Sequence, residues 1–406
     1  MMGGQAKKVM LLPIVLKIWE TLLSPFRQVD KRQLQHEIDT YRLFLLTSYN
    51  RLGGSGEELA KELQASADSK PFTTLQDEVQ SNVHQQISAV SQMLDGILLK
   101  DGKIGEPLIK PRPSGLSFAV GHALPQVERE KVVKTNNLDR VEVAEKFYEH
   151  FGYTLLTKRS DINHVEAGEG LFLRGRAEPG VVVAFYPGVI YAPSQYRYLP
   201  GYPRVDRGNP YLISRFDGLI LDGKSWGRGG DQREWWEGGN SHEFDPPELS
   251  SDASEAGDRR EQMWESVTGA KKLDVPVEGS LLERRNPLAF GHFANHPPKG
   301  RKPNVMICPY SVPIGDDSVR PYVPNVILRL KEEQMERRGL LWIKEGRSED
   351  DENGSQIRHE IRTLVLVATR VLENEELLLN YRLSAYMRRP QWYFPVDEEE
   401  DRRRWE

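Results

Sequence analysis

The spacing of the apolar residues changes between about residues 100 and 150 of this 406-residue chain, and this change limits what the chain can fold into. Over 34–49 and 75–98, apolar side chains recur at steps of three and four, which puts each series on one face of a helix. A shorter helix is predicted over 57–67, after a glycine-rich turn. Beyond residue 150, short β-branched and aromatic runs replace the helical pattern. We therefore predict an α+β chain, in which a helical N-terminal region precedes a mostly β domain.

Several residues mark where these elements begin and end. Pro71 and Thr74 precede the longest helical series, and Asp77 stands three residues after Thr74 as its expected capping partner. A proline-rich joint at 107–113 follows, and a further helix is predicted over 141–151. The clearest strand candidates are the runs at 181–186, 211–214, 218–222, 304–308, 326–330, 340–343 and 364–367.

These patterns divide the chain into a helical region at 1–115, a connecting segment at 116–154, a strand-rich domain at 155–385 and a tail at 386–406. Two stretches rich in Gly, Pro, Ser or charged residues, at 223–285 and 345–360, are predicted to be solvated loops between strands. The charged run at 397–406 is also expected to be solvated.

Composition excludes several classes of function. The chain carries 55 Lys and Arg against 60 Asp and Glu, a net charge of −5, which argues against a dedicated nucleic-acid binder. The single cysteine, Cys308, cannot form a disulfide within the chain or a multi-cysteine zinc cluster, and it favours a reducing compartment. No apolar run approaches the roughly 20 residues that cross a bilayer, so no membrane span is predicted.

The N-terminal segment leaves two alternatives open. The apolar residues at 9–16 are flanked by Lys7, Lys8, Lys17 and Arg27, and the first acidic residue is Glu20. This start is compatible with import into an organelle, but an amphipathic helix that packs on the following helices is the favoured alternative. We expect an intracellular protein of the nucleus or cytoplasm, or an organelle if the start acts in import.

Two histidine pairings invite a metal interpretation, and neither is favoured. His292 and His296 are four residues apart, but Pro297 and Pro298 follow and no third ligand is evident. His242 and Glu243 lie in a polar stretch and are interpreted as surface residues. We therefore predict no metal site.

Three motifs lie in order along the β half. The first is AGEGLF at 167–172, followed by a valine-rich strand that ends in FYPG at 185–188. The second is FGHFANH at 290–296, with Pro303-Asn304 shortly after it. The third is NEELLLNY at 374–381. Singly these motifs are weak, since paired glycines usually mean only a tight turn, but together and in this order they are specific.

Their order and spacing resemble the SET-domain protein methyltransferases over about residues 155–385. The stretches RGNPY at 207–211, FDGLILDG at 216–223 and NPLA at 286–289 are similar to the SET domain-containing protein 9 family. The resemblance implies a SET fold with a pseudoknot-like C-terminal crossing, and an S-adenosyl-L-methionine-dependent methyltransferase that acts on a lysine side chain of a protein substrate. The oligomeric state is not predicted.

The resemblance also assigns roles to individual residues. Tyr381 is the implied catalytic phenol, and Tyr186 is the implied second aromatic wall of the channel for the target amine. The residues implied in cofactor binding are Gly168, Glu169, Gly170, Asn295, His296 and Tyr381. Leu379 stands at a place where SET enzymes carry an aromatic residue that limits the product, so a channel that does not stop at one methyl group is implied.

Ordinary structural roles compete with these assignments. Tyr381 is alternatively a core tyrosine closing a strand, Tyr186 a strand tyrosine satisfied by one hydrogen bond, and Leu379 a core residue. At the level of function, the alternative is a catalytically silent SET-fold protein that binds or scaffolds.

The chain departs from the family pattern at three places: His292 replaces the usual arginine, Pro297-Pro298 the usual Ser-Cys, and Asn380 the usual acid. These departures affect cofactor affinity more than the fold. Many relatives close the site with cysteine-zinc clusters, which one cysteine cannot build. The predicted cover is therefore aromatic, and its candidates are Tyr386, Trp392, Tyr393 and Phe394.

Overall fold

The structure is a computed structural model that describes residues 31–53, 56–99, 136, 138–205, 208–227, 282–313, 315–327, 360–386 and 388–405. The basic N-terminal segment, the proline-rich joint, His242, the strand candidate at 340–343 and most of both predicted loops lie outside the described residues. Within the described part, a helical N-terminal region precedes a strand-rich region, and this confirms the α+β class.

The helices lie close to where the apolar spacing predicts them. They are α1 (Lys31–Arg51), α2 (Glu57–Ser69), α3 (Phe72–Leu98), α4 (Arg140–Phe151) and α5 (Glu398–Trp405). The predicted capping by Thr74 is wrong, since α3 begins at Phe72 after Pro71 and no side chain caps it. Pro71 starts the helix because its ring presets the backbone angle φ, here −66°. In α4, Asp139 and Glu142 form a capping box, and Gly152 ends the helix at φ 76°.

The described strands form three small sheets. The strands are β1 (Tyr153–Arg159), β2 (Glu169–Ala177), β3 (Val182–Phe185), β4 (Gly188–Tyr191), β5 (Leu212–Ser214), β6 (Ile220–Asp222), β7 (Val305–Pro313), β8 (Asn325–Ile327), β9 (Glu360–Ala368) and β10 (Leu372–Glu373). The sheet orders are β1-β2-β10, β3-β9-β7 and β5-β6-β4-β8. All pairs are antiparallel except β4 with β8.

β7 is longer than its predicted range because a side chain supports it past a proline. The prediction ended at Cys308, since Pro309 cannot donate to a ladder. β7 is an edge strand, however, and Gln80 of α3 covers its free side. The Gln80 amide donates to the Pro309 carbonyl (2.6 Å) and accepts from the Ser311 backbone N–H (3.0 Å).

The opposite edge of the same sheet is covered in the same way. Gln86, also on α3, donates to the Gly180 carbonyl (3.0 Å) and accepts from the Val182 backbone N–H (2.8 Å), at the start of β3. One helix thus pairs with both free edges of the sheet and leaves fewer unpaired backbone groups. A single buried apolar cluster runs from α1 through α3 and the sheets to Leu379. The helices and the strands therefore share one core.

Two further features of the described residues concern the chain's surroundings. None of the described helices has the length and apolar character needed to cross a membrane. Cys308, the single cysteine, is buried in the core.

Candidate functional site

The three sequence motifs meet at one place. The backbone N–H of Leu379 donates to the carbonyl of Asn295 (2.8 Å), and that of Leu377 donates to the carbonyl of Leu171 (2.7 Å). The backbone N–H of Asn304 donates to the carbonyl of Leu378 (3.0 Å). We call the joined stretches 171–172, 294–296, 304–305 and 376–379 the floor of the site. Its segments, remote in sequence, are tied by backbone hydrogen bonds.

Asn304 is the polar centre of the floor. It is fully buried, and its amide donates to the Glu376 carbonyl (2.8 Å) and to a Glu375 carboxylate oxygen (3.0 Å). Its side-chain oxygen accepts from the Leu378 backbone N–H (2.7 Å). One side chain thereby satisfies both a donor and an acceptor of the neighbouring segment, as buried backbone groups require.

Glu376 is buried beside the glycine turn. Its carboxylate accepts from the Ser160 hydroxyl (2.6 Å) and the Asp161 backbone N–H (3.0 Å). A Cβ added at Gly170 would lie 2.3 Å from Glu376 Oε1, so any other residue there requires the carboxylate to shift. Gly168 has φ 56°, and nothing lies within 4 Å of where its Cβ would stand. The two glycines therefore serve different purposes: Gly170 makes room for Glu376, while Gly168 makes the turn and faces open space.

Asn295 holds the glycine turn on the floor. Its amide nitrogen donates to the carbonyls of Ala167 (3.0 Å) and Glu169 (3.1 Å), and to Oε1 of Glu376 (3.3 Å). The amide N–H groups of Asn295 are thus engaged by the protein itself. Glu169 is half-buried, and its charge lies close enough to Tyr211 to help raise the pKa of that phenol, after the larger effect of burial.

Tyr381 ends the third motif above the floor. Its hydroxyl donates to the carbonyl of Ala294 (3.1 Å), and its backbone N–H donates to Nδ1 of His296 (3.2 Å). Burial raises the pKa of the phenol, with a smaller contribution from neighbouring Tyr211. The Tyr381 hydroxyl is therefore protonated at neutral pH and is a hydrogen-bond donor.

Tyr186 lies next to Tyr381. It is buried, and its hydroxyl donates to the Tyr211 carbonyl (2.8 Å). One such hydrogen bond is what the alternative interpretation of Tyr186 as an ordinary strand tyrosine expects. Burial raises its pKa well above the usual value, and the next contribution comes from Tyr381. Leu379 is also buried and belongs to the core cluster. Tyr186 and Leu379 thus lie in the same buried core cluster, and Tyr381 packs against it.

His292, which stands where the family carries arginine, is buried and uncharged. Its Nε2 donates to the Gly227 carbonyl (2.9 Å), and burial lowers its pKa to about 4. Its ring stands edge-on to Tyr211, with centroids 5.7 Å apart. His292 is therefore a neutral part of the aromatic wall. Within the described residues, no group of three or more His, Cys, Asp or Glu is placed to hold a metal ion.

His296 joins the floor to the aromatic residues that follow Tyr381. Its Nδ1 accepts from the Tyr381 backbone N–H, and its Nε2 donates to the Phe394 carbonyl (2.8 Å). Tyr393 stacks on the ring, with centroids 4.5 Å apart. Burial lowers the pKa of His296, which keeps the imidazole neutral and able to accept and donate at once.

We call residues 383–405 the cover. Trp392 stands edge-on to Tyr381 at 6.3 Å, and its indole N–H donates to Glu166 beside the glycine turn (2.5 Å). Tyr393 is buried, whereas Phe394 is 40% exposed and contributes its carbonyl to His296. Tyr386 is 80% exposed, so its prediction as part of the aromatic cover is wrong.

The prediction that the charged run at 397–406 is solvated holds for the exposed residues 397–399 and 402 and fails for residues 400, 401, 403 and 404, which are half-buried. Glu398–Trp405 form α5, which packs on α1. Glu400 pairs with Arg382 (3.0 Å) and Arg42 (3.4 Å), and Asp401 pairs with Arg389 (2.8 Å). The composition of the run does not predict these ion pairs, because the arginines that pair with it lie elsewhere in the chain.

The residues present fit the cofactor that the resemblance implies. The backbone at Gly168 is open, and Trp392, whose half-buried ring stands edge-on to Tyr381, is tied by its indole N–H to Glu166 near the same turn. Acidic side chains at Glu166 and Glu169 suit a cationic ligand. No protein-family model matches the chain, and no curated protein matches it.

Proposed function

We propose that this protein is an S-adenosyl-L-methionine-dependent protein methyltransferase of the SET type, directed at lysine. The observation that carries the proposal is the position of Tyr381. Its protonated phenol donates to the Ala294 carbonyl of the floor, Trp392 of the cover stands edge-on to its ring, and Tyr186 is an electrostatic neighbour. The three motifs behind the resemblance are the segments that surround this phenol.

Methyl transfer to an amine depends on alignment more than on acid or base strength. When bound, S-adenosyl-L-methionine supplies an electrophilic methyl group. The Tyr381 hydroxyl donates a hydrogen bond to the Ala294 carbonyl, so the lone pairs of its oxygen are left to orient the amine and the methyl hydrogens. Asn295 and Glu376 hold the turn beside it, and the cover excludes water.

The apolar surroundings also bear on the target. A lysine amine has an ordinary pKa near 10.4 and attacks only when neutral. Burial among Leu379, Tyr186 and the neutral His292 disfavours the charged form. No general base of the protein is then required, because the proton is lost to water before the amine enters.

Two matched substitutions test the role of Tyr381. Tyr381→Phe and Tyr153→Phe each remove one phenol that donates to a backbone carbonyl, and Tyr153 lies outside the site with its bond to Val182 (3.0 Å). We expect Tyr381→Phe to lower transfer of labelled methyl groups to an extract more than 100-fold while cofactor binding persists, and Tyr153→Phe to retain most activity. Equal activity of the two variants would contradict the assignment.

The side chain of Leu379 leads us to expect a product with more than one methyl group on the lysine. It lacks a hydroxyl and is smaller than an aromatic residue, so we expect di- or trimethylated lysine at long reaction times, measured by mass spectrometry. Leu379→Tyr is expected to shift the product toward monomethyl-lysine. Monomethyl product alone from the wild type, with no effect of Leu379→Tyr, would assign product control to another residue.

A specific observation favours the second candidate, a catalytically silent SET-fold scaffold. The Asn295 amide is engaged by three protein acceptors, and the space beside Gly170 is filled by Glu376, so both features have a role without a ligand. Calorimetry with S-adenosyl-L-methionine distinguishes the candidates. Heat that saturates supports the enzyme, and its absence at high concentration supports the scaffold.

A further inference from the structure

The residue that follows the candidate catalytic tyrosine is tied to the start of the described chain. The Arg382 guanidinium donates to both carboxylate oxygens of Asp39 on α1, at 2.5 and 2.8 Å. The two residues are 343 positions apart in sequence. A bidentate pair of this kind fixes direction as well as distance, because guanidinium and carboxylate meet in one plane.

Asp39 and Arg382 belong to a balanced group of four charges. Glu400 of α5 pairs with Arg382 (3.0 Å) and with Arg42 of α1 (3.4 Å). The four side chains are between 12% and 23% exposed, so water screens them only in part. Burial alone would raise the pKa of Asp39, but Arg382 and Arg42 outweigh it and lower the pKa. Two acids and two bases thus join α1, the end of the third motif and α5.

The backbone at Arg382 requires such a restraint. Its φ is 50°, in the left-handed region that side chains other than glycine rarely occupy. Such a conformation costs about 1 kcal/mol or more and persists only when surrounding contacts hold it. The turn at Arg382 is what sends the chain from Tyr381 into the cover.

The remainder of the cover is attached through this turn. The Leu383 backbone N–H donates to the Tyr393 hydroxyl (3.1 Å), and Arg389 donates to the Leu383 carbonyl (2.6 Å) and to Asp401 (2.8 Å). Tyr393 in turn stacks on His296. Movement at Arg382 would therefore displace both the tyrosine before it and the aromatic rings after it.

We propose that Asp39 is a positioning residue for the active site, acting through Arg382 to hold Tyr381 and the cover in their working arrangement. The helical N-terminal region then controls the site from a distance, since anything that moves α1 also moves the segment carrying the phenol. The catalytic consequence rests on the proposed function, whereas the structural link between Asp39 and the cover does not.

Hydrogen exchange of the full chain tests the link directly. Asp39→Asn keeps the shape and removes the charge, and Arg382→Lys keeps the charge and removes the bidentate geometry. We expect either variant to speed exchange over 381–394 about tenfold or more, with β9 unchanged. The control is Glu145→Gln, which breaks the exposed Glu145–Arg174 pair (2.5 Å) away from the site. Unchanged exchange over 381–394 in Asp39→Asn would overturn the proposal.

Activity and binding separate this proposal from the proposed function. If the wild type binds S-adenosyl-L-methionine, Asp39→Asn should weaken binding about tenfold and lower kcat, and Asp39→Asn/Arg382→Gln should be no worse than either single variant. Additive losses, or unchanged kcat and affinity despite faster exchange, would overturn the positioning role. If the wild type binds no cofactor, the proposed function fails while the exchange result still decides whether Asp39 holds the cover.

Discussion

The floor and the cover are held by different forces. The floor is joined by backbone hydrogen bonds and by the neutral amides of Asn295 and Asn304, with Glu376 buried among its donors. The cover is joined by ion pairs of half-buried side chains and by ring contacts with His296 and Tyr381. Hydrogen bonds in a dry interior resist salt and open only with the whole fold, whereas partly solvated ion pairs are screened and open locally. We therefore expect the floor to open only when the whole protein unfolds, and the cover to open by local fluctuations.

The largest expected effect comes from removing the polar centre of the floor. Asn304→Ala leaves the Glu376 carbonyl and the Leu378 N–H unpaired in the interior, each costing 1–3 kcal/mol, so we expect the free energy of unfolding to fall by about 4 kcal/mol. Asn380→Ala, which removes only a local bond to the Arg382 N–H (3.1 Å), is the control and should cost less than about 1 kcal/mol. If urea denaturation gave the same loss of unfolding free energy for both variants, the floor would contribute no more to stability than the cover.

Acid should act on the buried histidines and on the ion pairs of the cover in different pH windows. Burial lowers the pKa of His292 from 6.5 to about 4, so between these values the unfolded chain binds a proton that the folded chain does not. Stability is therefore lost as the pH falls from about 6.5 to about 4, by up to about 3 kcal/mol for this residue. Burial also lowers the pKa of His36 to about 4, so His36 adds to the loss of stability in the same pH range.

Asp39 provides the second window. Its folded pKa lies below the usual 3.8, so its contribution is lost only as the pH falls further. We expect His292→Gln to flatten the unfolding free energy between pH 6.5 and 4, and Asp39→Asn to flatten it below pH 4. A His292→Gln variant as acid-sensitive as the wild type in the upper window would show that its acid sensitivity arises elsewhere.

The two glycines of the turn that rests on the floor are expected to lose stability for different physical reasons when each is replaced by alanine. Gly170→Ala places a Cβ 2.3 Å from Oε1 of the Glu376 carboxylate, which is already fixed by three donors, two of them on Oε1, so we expect a loss of about 2–3 kcal/mol. Gly168→Ala meets no atom within 4 Å, and its cost comes from the backbone alone, since φ 56° with ψ −125° lies outside the regions that other residues adopt, at about 1–3 kcal/mol. Thermal unfolding of both variants measures the difference. A Gly170→Ala loss below about 1 kcal/mol would mean that Glu376 moves aside freely.

The smallest expected effect is that of salt on the cover. Raising NaCl from 0.05 to 1 M shortens the screening length about fourfold, and we expect hydrogen exchange over 383–405 to speed up while that over 372–379 stays constant. Glu400→Gln should mimic the effect, by less than about 1 kcal/mol. Equal acceleration of both segments would indicate that floor and cover open as one unit.

Periodicity predicted the helices well because an amphipathic helix carries its pattern locally. Strands were predicted less completely: β1, β2, β4 and β10 were missing from the predicted strands. β2 contains two glycines and two arginines, a composition that indicates a strand only once its partners β1 and β10 are known. The continuation of β7 past Pro309 likewise depends on Gln80, which is 229 residues away.

By itself, the sequence determined the α+β order of the elements, the absence of a disulfide within the chain and the set of motifs that bear the candidate chemistry. These properties follow from local spacing and composition. Only the tertiary structure decided that Gly170 serves Glu376, that His292 is neutral, that the charged C-terminal run is a packed helix and that Asp39 holds Arg382. Each depends on which side chain, often hundreds of residues distant, excludes water from the group or supplies its opposite charge, and no local pattern encodes that partner.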